Sequence, residues 1–154
     1  MPVDIVHIHD YLRGMADDFD LCMVLNTRMA ARSVTRRVDR RLRPYGVTGA
    51  QFTILGSLYN HPGRSVTEMA EAIAMDRTTL SRNLDLLVRK GLVATASSDK
   101  GNVRIGAVTE AGRAIIAELT PEWRKVQAEL RAALNDPDFD TMIAGLRQLS
   151  RIQP

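Results

Sequence analysis

The chain has 154 residues, 45% of them hydrophobic, enough apolar surface for one good core and the size of a single domain. Its one cysteine excludes an internal disulfide framework and fits a reducing, cytoplasmic setting, while three Phe, three Tyr and one Trp leave aliphatic helix packing to build the core. The net charge of +3 hides its distribution: residues 1–20 carry −4, residues 21–109 carry +8 and residues 110–154 carry −1, so the middle of the chain suits a polyanion. No run of about 18 apolar residues and no basic-then-apolar leader is present, which speaks against a membrane or secreted protein.

The chain opens with His7-Ile8-His9-Asp10. Histidines two apart diverge on a helix and no Cys/His cluster accompanies them, so a frayed arm is expected rather than a metal site, and no cofactor is expected. A long amphipathic helix follows over about residues 18–43, with Leu21, Val24, Leu25, Met29, Val34, Val38 and Leu42 on its apolar side. Pro44 ends it, because the residue before a proline disfavours the α region. Early in this helix lies Cys22. Its apolar neighbours and the nearby Asp18 and Asp20 oppose thiolate formation, so a structural thiol is the first reading and a redox sensor the second. Arg28, Arg32, Arg36, Arg37, Arg40, Arg41 and Arg43 share the helix, interrupted only by Asp39. They read equally as contacts to phosphate or an effector carboxylate and as a solvated face.

Thr48 then caps a helix over residues 49–60 containing Phe52, Ile54, Leu55 and Leu58, which His61-Pro62-Gly63 breaks. Ser65 with Glu68 three residues on forms a capping-box pattern before a helix that buries Val66, Met69, Ala70 and Ile73. After the turn Ala74-Met75-Asp76, Asp76 caps a second helix over residues 77–90, burying Leu80, Leu84, Leu87 and Val88 and stopping at Gly91. Two helices joined by so short a turn are a helix-turn-helix. A hairpin follows: a strand over residues 92–96, a polar tip over 97–102 and a return over 103–108. The order is that of a winged helix.

With Leu80, Leu84 and Leu87 turned inward, Thr78, Arg82, Asp85 and Arg89 point outward, flanked by Thr79 and Ser81, with Arg77 in the first turn. Short hydroxyls and an arginine near the N-terminal half suit a helix entering the major groove end-first. Arginine can hold guanine O6 and N7 together, and threonine can hydrogen-bond a base edge or meet the thymine methyl. Lys100 and Arg104 of the wing add contacts to phosphate or a narrow minor groove. The expected DNA-binding set is therefore Arg77, Thr78, Thr79, Ser81, Arg82, Lys100 and Arg104.

Thr109-Glu110-Ala111-Gly112 opens another helix through Ile115, Ile116 and Leu119, which Pro121 kinks or restarts before Trp123, Val126, Leu130 and Leu134. Asn135-Asp136-Pro137 makes a turn, and a last helix covers about residues 138–151 with Phe139, Met142, Ile143, Leu146 and Leu149. The expected class is mainly α with a small β-hairpin wing (α+β). The terminal helices are longer and more apolar than a lone winged helix requires, and a two-fold dimer would hide their stripes. Such a homodimer would set two recognition helices roughly 34 Å apart over a pseudo-palindromic site. One chain, 1–154, then divides into a DNA-binding lobe over 46–108 and dimerisation helices over 1–45 and 109–154.

These pieces together resemble the MarR-type multiple-antibiotic-resistance regulators over nearly the whole length. The likeness rests on Leu42-Arg43-Pro44-Tyr45-Gly46-Val47-Thr48 running into Gln51-Phe52, and on Ser65-Val66-Thr67-Glu68-Met69-Ala70. It continues through Asp76-Arg77-Thr78-Thr79-Leu80-Ser81-Arg82-Asn83-Leu84, Gly91-Leu92-Val93 and Val108-Thr109-Glu110-Ala111-Gly112. The resemblance implies a homodimeric winged-helix transcription factor, usually a repressor. It also implies release from DNA by a small phenolic or aromatic molecule entering a cleft between the DNA-binding lobe and the dimer helices, or by oxidation. It places Arg82 in the major groove, with Thr78, Thr79 and Ser81 as neighbours. The wing departs from the family: Gly101 stands where an arginine would follow the tip aspartate, leaving Lys100 and Arg104.

Catalysis finds no support: there is no glycine-rich phosphate loop, no His-Glu-x-x-His and no nucleophile elbow, and only three histidines. The alternative is a winged-helix module that binds protein rather than DNA, which would need neither the +8 segment nor Arg82.

Overall fold

The computed structural model describes residues 19–97 and 104–152. In chain order the elements are α1 (Met23–Leu42), a 3-10 turn (Arg43–Tyr45), α2 (Gly49–Asn60), α3 (Val66–Ala72), α4 (Arg77–Arg89), β1 (Val93–Ser97), β2 (Arg104–Val108), α5 (Glu110–Ala133) and α6 (Phe139–Leu149). The fold is mainly helical with one antiparallel hairpin, in which Val93 pairs with Val108 and Ser97 with Arg104. Helix, turn, helix, hairpin is the winged helix-turn-helix that the residue pattern predicts.

The described residues fall into two compact units, one up to residue 37 and one from residue 38. In the first, the predicted helix does not run unbroken from residue 18: the chain turns at Leu21 and Cys22, and α1 begins at Met23. Asn26 explains the break. Its Nδ2 donates to the Asp20 carbonyl at 2.8 Å, taking an acceptor a continuous helix would use, and to the Cys22 carbonyl at 3.0 Å, which also keeps the Asn26 N–H. Cys22 therefore precedes the helix rather than lying within it, half-buried and with a free thiol. The apolar side of this stretch is largely uncovered, with Leu21 84%, Val24 66% and Met29 61% exposed.

The second unit holds the core. Ile54, Leu55 and Leu58 of α2, Met69 and Ala70 of α3, and Leu80, Leu84 and Leu87 of α4 close around Leu42, Val47, Val93 and Leu119. Each such aliphatic side chain contributes roughly 1.5–3 kcal/mol by leaving water. Helix ends are finished by local side chains. Thr48 and Gln51 form a reciprocal capping box on α2, as do Ser65 and Glu68 on α3. Asp76 accepts the Thr79 N–H at 3.0 Å, Thr109 that of Gly112 at 3.1 Å, and Asp138 that of Thr141 at 2.8 Å. These satisfy donors that a helix start leaves unpaired.

The helix continues past Pro121, as expected, and does not restart there: α5 is one element through it. Proline removes only the bond that the Ala117 carbonyl would accept, a loss the neighbouring turns tolerate at an exposed position. The start of α5 is docked tightly on the hairpin base. Thr109 donates from its hydroxyl to the Gly91 carbonyl at 2.7 Å and from its N–H to Leu92 at 3.1 Å. A Cβ on Gly112 would stand 2.1 Å from the Leu92 carbonyl oxygen and 2.7 Å from Val108 Cγ1. Only glycine permits this approach. The end of α1 is equally committed: Asp39 Oδ1 accepts the Gly49 N–H at 2.7 Å, and Arg41 pairs with Glu129 and, at 3.7 Å, with Glu122 of α5. On α6 no residue is buried, and Arg131 grips Asp140 with two bonds of 2.6 and 2.8 Å while lying over Phe139.

Two predictions follow from this packing. Gly112→Ala forces backbone to move and should lower stability by about 1–3 kcal/mol, read as a lower urea midpoint with an unchanged slope; an unaltered midpoint would contradict the close approach. The Asp76 carboxyl is held below its ordinary value of 3.8, first by the Thr79 N–H and further by Thr78 and the charge of Arg82. A lowered carboxyl pKa gives stability that is present above the unfolded-state value and lost as pH falls through the folded one. The melting-temperature gap between wild type and Asp76→Ala should thus be constant above about pH 5 and close below it; a gap that widens in acid would refute the cap.

Candidate nucleic-acid interface

Helix α4 has two unlike sides. Leu80, Leu84 and Leu87 are 0% exposed, and Val88 packs beside them. Away from that side Thr78, Thr79, Arg82 and Arg89 are exposed, Ser81 and Asp85 are half-buried, and Arg77 is exposed in the first turn. The helix is amphipathic because leucines recur at four- and three-residue spacing, and the Asp76 cap pins where it starts. Arg77 to Arg82 covers about 7.5 Å of the axis at 1.5 Å per residue, short enough for one helix end to sit in a groove. Asn83 is spent locally, its Nδ2 donating to the Thr79 carbonyl at 2.9 Å. The structure thus brings five of the seven expected residues, Arg77, Thr78, Thr79, Ser81 and Arg82, onto one helix end. Arg104 is the first residue of β2, paired in register with Ser97 at the tip end of the hairpin. Lys100 lies outside the described residues.

The arginine run resolves unevenly. Arg28, Arg32, Arg36, Arg40 and Arg43 are exposed, whereas Arg41 is an ion-pair partner of α5. Asp39 interrupts the run because the α2 N-terminus needs its carboxylate. Lys90 was not expected to matter beyond its charge. Its Nζ donates to the Gly46 carbonyl and to Gln51 Oε1 at 3.2 Å. No sequence signal could reveal this, since the partners are 44 and 39 residues away. Among the described residues no group of three or more His, Cys, Asp or Glu could hold a metal ion, and no helix is long and apolar enough to cross a membrane. A cleft of about 270 Å³ lies between α2 and α3, lined by Thr53, Ser57, Asn60, His61, Arg64 and Ile73 among others. It does not touch α1 or α5.

Comparison with known proteins places this geometry. The model of the MarR family matches residues 45–101. The transcriptional regulator MosR of M. tuberculosis, in a structure with DNA, is 34% identical with a TM-score of 0.77, the match covering 84% of this chain and 94% of MosR. A second MosR structure gives 35% identity and a TM-score of 0.78, covering 86% and 96%. BpsR of Bordetella bronchiseptica, whose DNA binding is regulated by 6-hydroxynicotinic acid, shares the fold at 20% identity and a TM-score of 0.77, covering 86% and 95%. The capped helix-turn-helix, the hairpin behind it and identity to MosR at a third of the matched positions make this chain a member of the MarR family of DNA-binding transcription regulators, and not an enzyme.

Proposed function

We propose that the chain is a homodimeric, sequence-specific repressor that reads a pseudo-palindromic operator with α4. The carrying observation is the exposed end of α4, where Thr78, Thr79 and Arg82 stand opposite a leucine face sealed into the core. A rigidly seated helix offering a guanidinium and hydroxyls matches base-edge chemistry in the major groove. Arg77, Thr78, Thr79, Ser81 and Arg82 read or flank bases, and Lys100 and Arg104 contact the backbone or minor groove from the wing. Residues 46–108 are the DNA-binding lobe, and 1–45 with 109–154 the dimerisation helices. Dimerisation is supported by apolar side chains left uncovered in each unit: Leu21, Val24 and Met29 in the first, and Leu146 and Ile152 in the second. Acting on DNA, the protein belongs in the cytoplasm.

Release follows population shift: an effector that prefers a dimer with mis-spaced recognition helices weakens operator binding by its differential affinity. A small aromatic or phenolic acid is the effector class, supported by the heteroaromatic acid that regulates BpsR. Oxidation of Cys22, half-buried ahead of α1, is the second trigger.

Operator selection from random duplexes tests the reading. Arg82→Ala should then cost ~1–3 kcal/mol on the selected site and relax preference at one base position. Lys100→Ala should weaken all duplexes alike and lower the salt slope by about 0.9. Unchanged binding in both variants would defeat the assignment. In sedimentation the protein should be a dimer at micromolar concentration, and a monomer throughout would defeat the symmetric-operator reading. Peroxide should leave Cys22→Ser on its operator if Cys22 is the trigger, and equal release of wild type and variant would exclude it.

A further inference from the structure

We infer that Lys90 is a positioning residue: by holding the Gly46 carbonyl and the buried Gln51 side chain, its ammonium group fixes the end of α4 against the elbow between α1 and α2, without contacting DNA. The inference rests on the reading of α4 as the recognition helix.

The elbow is a narrow piece of backbone. Gly46 adopts φ 74 to close the 3-10 turn, its N–H donating to Arg43 at 2.9 Å, and its carbonyl is left to accept from outside the turn. Lys90 Nζ supplies that donor. Gln51 is 5% exposed, and a buried amide oxygen needs donors. Its Oε1 takes the Thr48 N–H at 3.3 Å and Lys90 Nζ at 3.2 Å, so the oxygen that completes the α2 capping box also receives the charge from α4. On the other side of the elbow Asp39 holds Gly49 at 2.7 Å, where an added Cβ would meet Val38 at 3.0 Å. Two sets of polar contacts on adjacent residues therefore tie the start of α2, one to the last turn of α1 and the other to Lys90, the C-cap of α4.

Apolar packing of Leu84 and Leu87 holds α4 in the core but is non-directional. Hydrogen bonds from a charged donor add direction and fix the helix about its axis. Lys90 lies 13 residues past Arg77, about 20 Å along the axis, so it cannot share a base site with Arg77 or Thr78. A cation at a helix C-terminus is also favoured by the helix dipole alone. That simpler role would change stability without changing which DNA is preferred.

The test uses the full chain, a selected operator and a scrambled duplex of equal composition, with binding followed by anisotropy from about 50 to 200 mM salt. Lys90→Met should lose roughly fivefold to tenfold on the operator, the scale of one ordinary hydrogen bond felt at the recognition face. The scrambled duplex and both salt slopes should be unchanged, and Lys90→Arg should restore operator binding. Amide exchange should quicken both at the end of α4 and at Thr48 in Lys90→Met, a readout that needs no DNA. Equal losses on both duplexes with a flatter salt slope would overturn the proposal in favour of a phosphate contact. A lower melting temperature with unchanged operator preference and unchanged exchange at Thr48 would overturn it in favour of a simple helix cap. A wild type without operator preference would instead sink the DNA reading itself, visibly and before any variant is made.

Discussion

The seating of one helix governs this molecule. Leu80, Leu84 and Leu87 give α4 a face that water does not reach, packed on Ile54, Leu55 and Leu58 of α2 and on Met69 of α3. Burial of that face is what makes the opposite face a defined surface rather than a set of mobile side chains. Thr78, Thr79 and Arg82 owe their common direction to leucines they never touch. A base-reading surface has to be stiff, because a hydrogen bond that discriminates bases depends on its geometry.

Polar groups then convert a hydrophobic cluster into a specific arrangement. The starts of α2 to α6 each carry their own acceptor, Thr48, Ser65, Asp76, Thr109 or Asp138, so these boundaries are fixed locally. Between elements the ties are few and pointed. Thr109 and Gly112 weld α5 to the hairpin base, Asp39 joins α1 to α2, and Arg41 joins α1 to α5. The arginine-rich C-terminal half of α1 thus mixes two kinds of residue that look identical in a charge count: those that hold the fold together and those that face solvent.

The exposed apolar residues of α1 and the absence of any buried residue on α6 belong to the same logic. Apolar stripes with helical spacing favour being covered. In the homodimer proposed above, a two-fold partner would supply that cover while setting two α4 ends on one duplex. The mechanism of control proposed above needs nothing further: any ligand or thiol chemistry that prefers another spacing of those ends competes with DNA.

Much of this was readable from residue order, because caps, turns and leucine spacing are local. Ser65 with Glu68, Asp76, Gly91 and the hairpin all lie where short-range rules put them, and so do the residues on the outward side of α4. One local reading failed, for a reason that is also physical. The first long helix is interrupted at Leu21 and Cys22, where the Asn26 amide takes the Asp20 carbonyl, whereas α5 continues past Pro121 as expected. What only the tertiary structure decided is where long side chains end. Lys90, Arg41 and Asp39 carry charges that composition can count, yet their partners lie tens of residues away or on another helix, and no periodicity encodes a contact that exists only once the helices are packed.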